Sequence, residues 1–118
     1  MMEQSEVKEL MLALRKFAQD RDWEQFHSPK NLSMALSVEV SELLEHFQWM
    51  PEQASYALGD AKQQLVGYEL ADIFIYLLRI CDQLDVDLML VTKEKMKINN
   101  ERYPVSKVKG SSKKYSEY

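Results

Sequence analysis

Cysteine is nearly absent. Cys81 stands alone in 118 residues, so no disulfide can close within the chain, and a reducing, cytoplasmic setting is the expectation. Glycine and proline are scarce as well, three of each. So few chain breakers disfavour a turn-rich β fold and favour long helices. No stretch approaches the roughly 18 apolar residues of a membrane span. Met1–Leu10 carries several charges and lacks the apolar core of a secretory leader, so no membrane partner is expected. Basic charge is in deficit, with a net charge of −4, which speaks against a nucleic acid polymer as partner. It does not speak against a nucleotide, because a metal ion can neutralise phosphates locally.

What is present is the composition of a folded domain, 46% hydrophobic and 29% charged. The length suits one domain with a modest core. Val7, Leu10, Met11, Leu14 and Phe17 recur at helical spacing and predict a helix over Met2–Ala18. Asp20–Asn31 (DRDWEQFHSPKN) breaks that rhythm and reads as an ordered loop, with room for a helical turn. Asn31 is the expected N-cap of a second helix reaching Trp49. Pro51 stops that helix or opens a short one. A long helix is predicted over Asp60–Gln83, with Gly67 inside it at some cost in propensity. A last helix is expected from Asp87 to Arg102, stopped by Pro104. Residues 105–118, rich in lysine and serine, read as a tail following a domain of residues 1–104.

The chemistry lies in the acids. The second helix carries Glu39-Val40-Ser41-Glu42 and the long helix Glu69-Leu70-Ala71-Asp72. Residues three apart on a helix are neighbours, so each pair offers two carboxylates side by side. Leu36, Val40, Leu43 and Phe47 form the expected buried stripe of the second helix. Val66, Leu70, Ile73, Leu77 and Ile80 form that of the long one. At about 100° per residue, Glu39 lies roughly 80° from its stripe, Glu69 and Tyr76 roughly 70–90° from theirs, and Asp72 somewhat further. The acids flank the core, and two such helices packed side by side bring four carboxylates to the rim of their seam. Four carboxylates repel one another, and a divalent cation removes the conflict. Carboxylate and water oxygens suit magnesium, which is usually shared with substrate phosphates. Spacing alone leaves a second reading open, a solvated acidic face, since the same spacing recurs at Glu3/Glu6 and Glu6/Glu9.

Glu39-x-x-Glu42, a gap of 26 residues, then Glu69-x-x-Asp72 resembles the metal signature of the all-α nucleotide pyrophosphohydrolases, which include MazG, the dimeric dUTPases and the phosphoribosyl-ATP pyrophosphohydrolases. DRDWEQFHSPKNLSMALSVEVSELLEHFQW (Asp20–Trp49), ELADIFIYLL (Glu69–Leu78), KMKINNERYP (Lys95–Pro104) and the SSKKYSEY tail are similar to the dCTP pyrophosphatase branch of the MazG-like proteins. The resemblance spans nearly the whole chain. It implies Mg²⁺ held by Glu39, Glu42, Glu69 and Asp72 around a triphosphate, which water cleaves to pyrophosphate and a nucleoside monophosphate. It implies a base pocket of Trp23, His27 and Trp49, with Tyr76 against the nucleotide and Asp72 near the sugar. Lys95, Asn99 and Tyr103 match positions that touch phosphate or sugar. It further implies a homo-oligomer, a tetramer built as a dimer of dimers, with sites at subunit interfaces.

Elementary physics agrees with several of these roles. Aromatic stacking contributes about 1–3 kcal/mol per base. Lys95, Asn99 and Arg102 share a helix face that can donate to phosphate oxygens. Each residue also has a plainer reading. By their residues alone Trp23, Trp49 and Tyr76 read first as packing, Lys95 and Arg102 as exposed helix charges, Glu45 as a solvated acid and Cys81 as core, while His27 reads as readily as a loop histidine.

The expectation is therefore an all-α bundle of four or five helices that hydrolyses a deoxynucleoside triphosphate, with dCTP favoured, in clearing unwanted nucleotides. The same chemistry on dUTP, another dNTP or phosphoribosyl-ATP stays open. So does a non-catalytic helical module whose acidic rim meets a basic partner.

Overall fold

In the computed structural model, residues 2–112 are described, with side chains from residue 6. Among them there are five α-helices and no strand: α1 (Met2–Asp20), α2 (Pro29–Phe47), α3 (Asp60–Leu84), α4 (Leu88–Arg102) and α5 (Val105–Val108). Two 3₁₀ turns, Glu24–Phe26 and Glu52–Tyr56, interrupt the connections. None of these helices is long and apolar enough to cross a membrane. The chain divides into two compact units, Met1–Asp85 and Val86–Tyr118.

Helix boundaries follow local chemistry. The N-cap of α2 is Ser28 rather than Asn31: the Asn31 N–H donates to Ser28 Oγ at 3.1 Å, and Pro29 takes the first helical position. Proline suits that position because its missing N–H has no helical partner there and its φ is already helical. Asn31 instead donates through Nδ2 to the Phe26 carbonyl at 3.1 Å and ties the loop to the helix start. α2 ends at Phe47, two residues short of Trp49, and Pro51 precedes the second 3₁₀ turn. Gly59 reaches φ 80° just before α3, a conformation that costs glycine little. Asp85 closes α3 at φ 54°, in the left-handed region that aspartate tolerates. Asp87 caps α4 by accepting from the Leu90 N–H at 3.1 Å. The start of the expected tail carries α5. Lys113 and Lys114 lie outside the described residues.

In the first unit α3 packs along α2 and, less extensively, against α1. The core is small: Ala18 of α1, Leu32 of α2, and Val66, Leu78 and Cys81 of α3, with Leu78 fully buried. Cys81 is core, as its place on the apolar face indicates. The expected stripes are only partly covered. Val40 and Leu70 are about half exposed, and Leu44, Leu65 and Phe74 are exposed too. A single chain of this size has more apolar helix surface than it has partners to cover it.

Candidate active site

Two carboxylate-bearing helices meet at α2–α3. One ligand oxygen from each of Glu39, Glu69 and Asp72 lies within 4.8 Å of the other two. Glu42 stands outside that set of three, yet it sits close enough to push up the carboxyls of Glu39 and Glu69. Partial burial, followed by hydrogen bonding and repulsion from Glu69 and Glu42, drives Glu39 up to about 7. Burial also raises Glu69, with Glu42 and Asp72 adding to the effect while the hydrogen bond to Glu39 opposes it. Oε2 of Glu39 and Oε2 of Glu69 are buried with no hydrogen-bond partner. Buried acceptors without donors are costly, and a cation between them removes the cost. An all-oxygen, anionic donor set fits a hard divalent ion, not a thiolate-seeking one.

The cluster opens into a cavity of about 390 Å³ lined by Leu14, Phe17, Ala18, Trp23, His27, Glu39, Asp72, Ile75, Tyr76 and Arg79. One wall is the loop after α1. Asp22 turns the chain at φ 53°, and Gln25 holds the turn by donating to the Asp22 carbonyl at 3.0 Å. The Trp23 N–H donates to the Ala18 carbonyl at 2.9 Å, which folds the indole back onto Phe17, edge to face, with ring centroids 5.7 Å apart. His27 follows the 3₁₀ turn, its ring 6.2 Å from that of Trp23. The opposite wall is α3, which presents Asp72, Tyr76 and Arg79 from successive turns. Burial first, and then the facing charges of Glu39, Asp72 and Glu42, raise the Tyr76 hydroxyl, so it keeps its proton at neutral pH.

Of the residues expected to form the site, Glu39, Glu69 and Asp72 converge, with Glu42 beside them. Trp23, His27 and Tyr76 line the adjoining cavity. Trp49 does not: it lies past the end of α2, is 88% exposed and is absent from the cavity lining. Lys95, Asn99 and Arg102 are exposed on α4, and Tyr103 is its part-buried C-cap, donating its N–H to the Asn99 carbonyl at 2.8 Å. These four belong to the second compact unit.

Sequence reasoning missed Arg79, a charged residue only 3% exposed. The signal is visible in retrospect. Arg79 is the one charge inside the apolar run IFIYLLRIC, three residues beyond Tyr76 and seven beyond Asp72, on their side of the helix.

The all-α fold thus sets an all-oxygen cluster that could hold a cation at the seam of α2 and α3, with an aromatic-lined cavity beside it. Residues 34–118 match the MazG-like family. The chain is 43% identical over 104 residues to dCTP pyrophosphatase 1 of Homo sapiens and equally so to that of Bos taurus. Each alignment covers 86% of this chain, which spans 61% of the human protein's length and 62% of the bovine one's. A crystal structure described as a pyrophosphatase from Archaeoglobus fulgidus superposes with a TM-score of 0.78 at 39% identity, covering 82% of this chain and 91% of that one. The chain belongs to the MazG-like family.

Proposed function

We propose that this protein hydrolyses deoxynucleoside triphosphates, dCTP foremost, to the monophosphate and pyrophosphate with the aid of Mg²⁺. The observation that carries the proposal is the convergence of Glu39, Glu69 and Asp72 at the edge of an aromatic cavity of nucleotide size. The naming of the relatives as dCTP pyrophosphatases supports the choice of base.

Glu39, Glu69 and Asp72, with Glu42 beside them, would hold the ion. When bound, a divalent ion supplies Lewis acidity at the phosphoryl oxygens and charge to offset the triphosphate. The chain's own groups do the rest. Trp23 offers a plane on which the base stacks, and His27 stands beside it to contact the base. The protonated Tyr76 hydroxyl donates toward the sugar or phosphate. Lys95, Asn99, Arg102 and Tyr103 are the proposed phosphate and sugar contacts from α4. The exposed apolar faces of α2 and α3 support a homo-oligomer, a tetramer as a dimer of dimers, in which Trp49 gains a partner surface. A reducing cytoplasm suits a buried free thiol such as Cys81.

The test is to incubate the protein with each dNTP, dUTP and phosphoribosyl-ATP in Mg²⁺ and identify the products. dCMP with pyrophosphate is the expected outcome. Nucleoside diphosphate with phosphate, or no Mg²⁺-dependent turnover of any of them, contradicts the proposal.

A further inference from the structure

Arg79 is buried among apolar side chains, and its Nη2 has no hydrogen-bond partner. Such a residue needs a reason, because a buried donor left unmade costs about 1–3 kcal/mol and an apolar side chain of similar volume is often no worse. Tying helices together is not the reason. Asp82 already takes two hydrogen bonds from Arg15 of α1, one from Nε at 3.0 Å and one from Nη2. That bidentate pair joins α1 to α3 without Arg79. The bond from Arg79 Nη1 to Asp82 Oδ2, at 2.9 Å, is made within α3, between residues three apart. Its effect is to orient the guanidinium, not to join elements.

The remaining contact reaches out of the helix. Arg79 Nε–H points at His27 Nδ1 at 3.4 Å, and both residues line the cavity. A guanidinium can only donate, so Nδ1 must accept and cannot carry a proton. The imidazole is then neutral with its proton on Nε2, and its second nitrogen is a donor. Burial first, and then the Arg79 charge, lower His27 below the usual histidine range, with Glu24 pulling weakly the other way. Geometry and electrostatics thus agree on one protonation state. Arg79 also stands seven residues past Asp72 on the same face of α3, about 10 Å along the helix axis. That is the reach from a phosphate at the acid cluster to the base of a bound nucleotide.

We infer that Arg79 is a positioning residue for base selection: held by Asp82, it fixes His27 as the tautomer with its proton on Nε2, so that the cavity offers an N–H donor to the edge of the base. A donor there favours cytosine, whose ring N3 accepts a hydrogen bond, over uracil and thymine, whose N3 carries a proton and can only donate. The inference rests on the proposed dNTP chemistry for its substrate, but the tautomer can be read without any turnover.

The experiment is ¹⁵N–¹H correlation NMR of the imidazoles at neutral pH, in the native protein and in Arg79→Met. The chain has two histidines, and His46→Gln assigns the signals. The expected native spectrum shows a protonated Nε2 and a bare Nδ1 for His27. In Arg79→Met the two shifts should move toward each other as the tautomers mix. In kinetics the same variant should raise KM for dCTP about 3- to 10-fold with kcat nearly unchanged, and the dCTP-to-dUTP preference should fall by a like factor. Arg79→Lys, which keeps a donor, should restore part of it. A native His27 with its proton on Nδ1 overturns the inference, and this arm stands even if Arg79→Met fails to fold. A folded Arg79→Met with native shifts overturns it too, and altered shifts with an unchanged base preference overturn the selectivity claim. Absence of dNTP turnover by the native protein would count against the proposed function while leaving the tautomer measurement readable.

Discussion

Replacing Glu39 by glutamine should make the metal-free protein more stable at alkaline pH while removing its activity. Glu39 titrates near 4.5 in an unfolded chain and near 7 in the folded one. Between those values the folded state holds a proton that the unfolded state has lost. Stability from this group is therefore fully present below pH 4.5 and falls away as pH rises through 7. The full difference corresponds to about 3 kcal/mol. The carboxylate is only partly buried, and solvent screening reduces this to about 1–2 kcal/mol. Glutamine occupies nearly the same volume and never ionises, so it escapes the loss. In urea melts followed by circular dichroism with EDTA present, Glu39→Gln should match the native protein at pH 4.5 and exceed it by about 1–2 kcal/mol at pH 8. Added Mg²⁺ should reverse the order at pH 8, because an ion held at 100 times its dissociation constant contributes about 2.7 kcal/mol to the protein that binds it. dCTP turnover by the variant should fall by about 100-fold or more, as when a group stabilising transition-state charge is lost. A variant less stable than the native protein at pH 8 in EDTA would refute the view that the acids are held together against their own repulsion.

Three further substitutions test the frame around the site. Leu78→Ala removes a fully buried side chain from α3 and should cost about 2–5 kcal/mol, read as a lower urea midpoint with the slope unchanged; a loss under about 1 kcal/mol would mean that the core lies elsewhere. Ser28→Ala removes the hydroxyl that caps α2 and should cost about 0.5–2 kcal/mol in the same assay, whereas Asn31→Ala, which leaves that hydroxyl in place, should leave the cap intact. Intrinsic fluorescence addresses the cavity: saturating dCTP should perturb Trp23, and the response should persist in Trp49→Phe but vanish in Trp23→Phe. A nucleotide response carried by Trp49 alone would move the base to another surface.

Much of this architecture is written locally. Asp87 as a cap, Pro51 and Pro104 as stops, and the run from Asp60 are all signals confined to a few neighbouring residues, and the helices obey them. The acid pairs were legible because a spacing of three puts two side chains on one helix face. The choice of Ser28 over Asn31 was not, since both residues cap well and the deciding feature was Pro29 between them. Nor was the coverage of the apolar stripes. Val40 and Leu70 are apolar by periodicity, but which of two apolar faces meets α2, α3 or another surface depends on tertiary packing. Arg79 was hidden for a related reason. A lone arginine in an apolar run reads as a solvated tip, and only Asp82, Arg15 and His27, brought together from three segments, show that it points inward.

Manganese(II) binding read by electron paramagnetic resonance examines the site most directly, since the free ion's signal disappears as it is bound. The native protein should take up Mn²⁺ saturably and in competition with Mg²⁺, and Glu69→Gln and Asp72→Asn should each abolish that uptake while retaining native helicity. Equal Mn²⁺ uptake by the native protein and both variants would contradict the assignment of these carboxylates as the ion's ligands.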